Sequence, residues 1–212
     1  MSCRLIVHAD DFGISEHVND GICLAHQEGI LTSTSIMASG EAFEHGVDLL
    51  KNNPSLDVGI HLTLIEELPL LPKEMISSLV REDGLFFDHA KTFIKKYLTG
   101  GIRLSQVRIE LEQQIRKVLD AGIAVSHLDS HQHIHALPGV RSTVIDLAKE
   151  FGIPSVRLPS ERFQRYMFQD ISGISRLGQL LILKTFCSIG HWNWINVWFR
   201  SLLEYAILNS RR

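Results

Sequence analysis

Cysteine is scarce in this chain. There are three in 212 residues, Cys3, Cys23 and Cys187, with no C-x-x-C pair among them. An odd, scattered set argues against a disulfide framework and fits a reducing cytosol. Long hydrophobic runs are missing too. The run Leu180–Leu183 is broken by Lys184, far short of the ~20 apolar residues of a membrane span. No apolar stretch of signal-peptide length precedes the first acidic residues. A soluble, cytoplasmic protein is expected. No G-x-G-x-x-G follows the first apolar run, which weakens a dinucleotide-binding reading. Strong positive charge is absent as well: the net charge is −3, which gives no reason to expect nucleic acid.

What is present is an ordinary globular composition, 45% hydrophobic and 21% charged, with room for one good core. Charge is uneven along it. Residues 1–159 carry 14 basic and 21 acidic side chains, whereas residues 160–212 carry 7 basic and 3 acidic ones. The last quarter differs in kind from the rest.

Residues 4–9, 32–39, 57–64, 124–130 and 155–159 read as strands, from apolar or β-branched runs bounded by turn signals. Helical patterns fall at 15–28, with Ser15 as N-cap, and at 41–52, 89–98, 105–121 and 140–151. Residues 65–88, with Pro69, Pro72 and Gly84, read mostly as a long loop. Strands alternating with helices imply a parallel sheet covered by helices. A (β/α) barrel and a doubly wound sheet both fit.

The strand ends carry the chemistry. The first apolar run leads into Asp10 and Asp11. The third strand carries His61. The fourth runs into "SHLDSHQHIH", with His127, Asp129, His131, His133 and His135, so four of the 11 histidines fall within nine residues. A lone strand histidine is most often structural, and Asp10 alone would serve as a cap. Three strands delivering imidazoles and carboxylates to one edge of a parallel sheet point instead to a reactive site. Two histidines and an aspartate suit Zn, Fe, Mn or Ni, and a site keeping several waters suits Mg. Three protein ligands leave positions open for chemistry. Successive side chains of a strand point to opposite sides, so adjacent aspartates are expected to do two jobs. One binds the metal, and the other takes a proton from the metal-bound water. Asp11-Phe12-Gly13 also spells the kinase D-F-G, but only ten residues precede it, which leaves no room for a kinase's upstream loop.

The pieces "VHADDFGIS" with "VNDGI", "GILTSTSIMASG", "VGIHLTL" and "SHLDSHQHIHALP" resemble the YdjC-like carbohydrate deacetylases, in family order over residues 4–159. The "GILTSTSIM" form and "LPLLP" are similar to the hopanoid-biosynthesis-associated branch. The resemblance implies a modified (β/α) barrel and one divalent metal ion, Mg or Zn first and Mn, Fe or Ni next. It implies Asp11, His61 and His131 as ligands and Asp10 as catalytic base. The residues alone do not choose among the histidines of 127–135. The implied reaction is removal of an N-acetyl group from an amino sugar or glycolipid. His133, His135 and Arg157 are expected near the substrate, and a structural role for Arg157 carries equal weight.

Residues 1–159 are thus expected to form the metal-binding barrel core. Residues 160–212, apolar, basic and holding all three tryptophans, are expected to form an atypical helical tail. Core packing is its leading reading. A shortened chain follows, and an amphipathic surface for a membrane or partner comes last. Missing strands would leave an open edge and invite homo-oligomers. His191, within "GHWNW", does not resemble the family's late histidine motif. Two other functions compete with deacetylation: a metal-dependent phosphoesterase, and an inactive metal-binding remnant.

Overall fold

The computed structural model describes residues 5–160 and 196–200. Six strands form one sheet: β1 His8–Phe12, β2 Ser33–Ile36, β3 Asp57–Leu62, β4 His127–Ser130, β5 Ser155–Ser160 and β6 Asn196–Arg200. They pair in chain order, and every pair is parallel. A doubly wound sheet requires its strand order to reverse at a switch point. This order never reverses, so the sheet is an α/β arc wound in one direction, as in a (β/α) barrel.

The helices α1 Glu16–Gln27, α2 Phe43–Lys51, α3 Lys73–Ile76, α4 Ala90–Leu98, α5 Leu104–Asp120 and α6 Pro138–Glu150 lie between the strands in sequence. Ser15 caps α1 as expected, its hydroxyl accepting the Val18 N–H at 3.3 Å. Strand alternation sorts the two faces of β3. Val58, Ile60 and Leu62 are buried in the apolar core with Leu111, Ile115, Leu128, Val144 and Val156. Gly59 and His61 point the other way. There, polar side chains of neighbouring strands replace the branched aliphatics that usually fill a barrel. Gly59 is required by its neighbour: a Cβ at this position would sit 2.3 Å from His127 Nε2.

Two expectations change. The first strand, expected at 4–9, is His8–Phe12, because His8 is taken up by the hydroxyls of Ser33 and Ser35 on β2, and Asp10 and Asp11 by histidines and Arg157. The stretch 65–88 is no open loop. It holds α3 and the bridges Ile65–Phe87 and Val80–Phe86, with Ile65, Ile76, Leu79, Val80 and Phe86 buried. Fully buried Glu110 of α5 pins it by accepting the Leu70 and Leu71 N–H groups at 3.0 Å each. The helical tail expected over 160–212 lies outside the described residues, apart from Ser160 at the end of β5 and the five residues of β6. No helix among the described residues is long and apolar enough to cross a membrane.

Candidate metal centre

Asp10 and Asp11 sit inside β1, at an irregularity in its pairing. Ala9 lies opposite Thr34 and Phe12 opposite Ile36. Three steps along β1 therefore match two along β2, the signature of a β-bulge. Asp11 takes up the extra residue with a left-handed backbone, φ 65°, which aspartate tolerates better than most residues. This corrects the expectation that the two carboxylates face opposite sides. The bulge brings both beside the His61 ring.

Asp11 Oδ1 lies 3.1 Å from His61 Nε2 and 3.0 Å from His131 Nδ1. The ligand atoms of these three residues all lie within 4.8 Å of one another. The two imidazoles hold the Asp11 carboxyl well below the usual carboxylate range. Burial works against a charged His61, but Asp129, Asp11 and Asp10 outweigh it and push its pKa up to about 10. A mixed imidazole–carboxylate set that concentrates negative charge on one point is the donor chemistry of a catalytic divalent ion.

Each imidazole is fixed by a carboxylate on its far nitrogen. His61 Nδ1–H donates to Asp129 Oδ1 at 2.8 Å, across the register pair His61–Asp129 of β3 and β4. His131 Nε2–H donates to Glu66 Oε2 at 2.9 Å. His61 therefore presents Nε2, and His131 presents Nδ1, toward Asp11. Such outer partners set the tautomer of a ligating histidine.

Asp10 belongs to an adjoining network. Arg157 Nη1 donates to Asp10 Oδ1 at 2.6 Å and to Asp129 Oδ2 at 3.2 Å. His8 Nε2 lies 3.1 Å from the same Asp10 oxygen and 3.5 Å from Asp129 Oδ2. Burial would raise the Asp10 pKa, but the His8 hydrogen bond and the Arg157 charge hold it below the ordinary value. Ser35 Oγ donates to Asp129 Oδ2 at 3.1 Å. Asp129, fully buried, thus ties His61, Ser35, His8 and Arg157 together.

Two other trios converge within the same distance, His8–His127–Asp129 and Asp10–His61–Asp129. Both use Asp129, whose oxygens already receive His61, Ser35 and Arg157. A second cation there would face the Arg157 guanidinium. Among the described residues no arginine or lysine pairs with Asp11 of the Asp11–His61–His131 trio, and the Asp11 side chain is 36% exposed.

The remaining expected residues divide. His133 lies beside this network with φ 57°, and its buried Nδ1 has no hydrogen-bond partner among the described residues. Burial, then Arg157, pushes its pKa down to about 4, so the ring is neutral. His135 is fully buried with both nitrogens engaged. Nδ1 pairs with Ser130 Oγ at 2.5 Å, and Nε2–H donates to the Arg157 carbonyl at 2.8 Å. That is the bonding of a strut between β4 and β5. Arg157, left open in the sequence between sugar contact and structure, is committed through Nη1 to Asp10 and Asp129.

Sequence reasoning passed over His8 and Glu66 and gave Asp129 no role. A signal for His8 existed. It stands two residues before Asp10 on one strand, hence on the same face, as Ser33 and Ser35 do in "TSTSI". Glu66 gave none, because its link to His131 spans 65 positions. Four non-glycine residues among the described ones have left-handed backbones: Asp11, Glu66, Gln132 and His133. All four gather here, and such conformations cost about 1 to 3 kcal/mol each and persist where a site demands them.

Residues 4–193 match the sequence profile of the family described as YdjC-like protein. The chain is 40% identical to a carbohydrate deacetylase of Clostridium beijerinckii over 151 residues, covering 71% of this chain and 58% of that protein. It is 40% identical to a carbohydrate deacetylase of Brevibacillus brevis over 159 residues, covering 74% and 59%. The chain thus spans about three fifths of the length of these curated relatives. A crystal structure from Enterococcus faecalis, provisionally described as a cellobiose-phosphate cleavage protein, superposes with a TM-score of 0.66 at 30% identity. That match covers 84% of this chain and 64% of the other.

Proposed function

The chain belongs to the YdjC-like protein family, and on that premise we propose that it is a metal-dependent hydrolase removing N-acetyl groups from an amino sugar or glycoconjugate. One observation carries the reading. Asp11 Oδ1 stands within 3.1 Å of two imidazole nitrogens on two different elements, with a second carboxylate, Asp10, alongside. The relatives named carbohydrate deacetylase supply the substrate class.

Asp11, His61 and His131 would hold one divalent ion. Bound there, such an ion lowers the pKa of a coordinated water and polarises an amide carbonyl. The donor set suits Zn, Mn, Fe or Ni, and Mg if several waters remain.

The other groups act through their own geometry. Asp10 is ionised at neutral pH. Arg157 and His8 both engage its Oδ1, which stops the carboxylate turning and leaves Oδ2 to take the proton of the attacking water. His133, neutral and beside Asp10 and Arg157, is the expected residue whose buried Nδ1 stays unmatched among the described residues. Arg157 orients the base, and His135 holds β4 to β5.

Phosphoester hydrolysis is the second reading. The description of the Enterococcus faecalis neighbour names a phosphorylated sugar, and the His8–His127–Asp129 trio is a place for a second ion. Arg157 beside that trio works against it. The distinguishing experiment supplies Mg or Zn with N-acetylglucosamine oligosaccharides in one series and phosphorylated disaccharides in another. Acetate release without phosphate release is expected. Phosphate release alone would overturn the deacetylase reading.

A further inference from the structure

His131 is gripped at both ends of its ring. Nδ1 faces Asp11 Oδ1 at 3.0 Å, and Nε2–H donates to Glu66 Oε2 at 2.9 Å. The other Glu66 oxygen accepts Gln132 Nε2–H at 2.6 Å. One carboxylate thus binds two consecutive residues of the turn that follows β4. Glu66 reaches them with a left-handed backbone, φ 68°, while its own N–H donates to the Phe87 carbonyl at 2.9 Å. The segment that carries it is packed and pinned by Glu110.

The two imidazoles of the metal centre are therefore treated alike by unrelated parts of the chain. Asp129 takes the far proton of His61 from within the sheet. Glu66 takes the far proton of His131 from outside it, from a segment whose sequence reads as a loop. We propose that Glu66 is the positioning carboxylate of the centre: it sets His131 with Nδ1 toward the ion, and it makes order in the 65–72 segment depend on the ion being bound.

This rests on Asp11, His61 and His131 holding a divalent ion. Without Glu66, the His131 ring loses the acceptor that holds its Nε2–H and is free to rotate. The ion then has to select one tautomer and one ring orientation, and affinity falls. Loss of such outer partners typically lowers metal affinity about 10- to 100-fold. Coupling runs both ways, because a ligand that favours one arrangement stabilises whatever holds that arrangement.

The test titrates Zn2+ into the metal-free full chain by calorimetry and follows hydrogen exchange across 65–72. Wild type, Glu66→Gln, Glu66→Asp and Asp11→Asn are compared. Wild type is expected to bind one Zn2+, and Asp11→Asn to lose binding. Glu66→Gln is expected to bind about 10- to 100-fold more weakly, with a metal-free melting temperature close to wild type, and Glu66→Asp to recover part of the loss. Zn2+ is expected to slow exchange at 65–72 in wild type and not in Glu66→Gln. A Glu66→Gln affinity within twofold of wild type, beside a wild type that binds and an Asp11→Asn that does not, overturns the positioning role alone. A lower melting temperature with unchanged affinity does the same, since that is what a purely structural contact gives. Wild type failing to bind, or Asp11→Asn binding as well as wild type, removes the metal centre itself and this proposal with it.

Discussion

Asp129 Oδ1 accepts the Nδ1 proton of His61 at 2.8 Å, and that bond decides which nitrogen His61 turns toward Asp11. Its other oxygen receives Ser35 and Arg157. Removing the charge would take the far carboxylate from the buried His61 ring and leave Arg157 with one carboxylate fewer beside its Asp10 contact. Breaking one side of a buried ion pair costs about 3 to 5 kcal/mol. Asp129→Asn is expected to lower the unfolding free energy of the metal-free chain by that amount in denaturant titration. A loss below about 1 kcal/mol, the scale of an ordinary hydrogen bond, would show that the network is not held by this carboxylate.

Stability without metal should depend on pH in a defined way. His61, at about 10, and His8 and His131 lie above the ordinary histidine value of 6.5. A raised pKa contributes stability that is complete below 6.5 and is lost as pH rises, for His61 up to about 10. His133 and His135 lie at about 4. They contribute stability that is present above 6.5 and is lost as pH falls through 4. The melting temperature in a chelator is therefore expected to peak near pH 6.5 and to fall toward pH 9. A curve that is level or rising from 6.5 to 9 would contradict the charged histidine network.

His135 separates structural from substrate-facing roles. Its two hydrogen bonds join Ser130 to the Arg157 carbonyl. His135→Phe is expected to cost about 1 to 3 kcal/mol, the scale for leaving buried polar partners unpaired. Sugar KM should be unchanged at temperatures where the variant is folded. A large rise in KM with full stability would make His135 a sugar contact after all.

Much of this was legible in the sequence, and its limits have physical reasons. The strand–helix alternation and the edge that collects Asp10, Asp11, His61 and the histidines of 127–135 follow from local patterns, whereas singling out His131 rests on the family resemblance. β1 was misplaced because its core signal, Leu5–Val7, precedes the residues that pair. His8 and Asp10 look unlike a strand until Ser33, Ser35 and Arg157 are there to receive them. The β-bulge at Asp11 depends on the register against β2, which one strand's sequence does not contain. The packed wall of 65–88 stayed hidden because prolines and a glycine mask pairings such as Val80–Phe86. Asp129 lay in plain view within "HLDSH", but its role needs both His61 and Arg157 as neighbours.

In the proposed function the chain hydrolyses an N-acetyl amide, with an ion on Asp11, His61 and His131 and with Asp10 taking the proton. The most direct measurement is acetate release from N-acetylglucosamine oligosaccharides by the metal-free chain as Zn2+ or Mg2+ is added stepwise, beside Asp10→Asn. The expected result is release that starts from nothing, rises with metal and reaches a plateau. Asp10→Asn should bind the metal normally and release acetate at least about 100-fold more slowly, the lower end for loss of a positioned base. Release that needs no metal, or that Asp10→Asn leaves intact, would contradict the account.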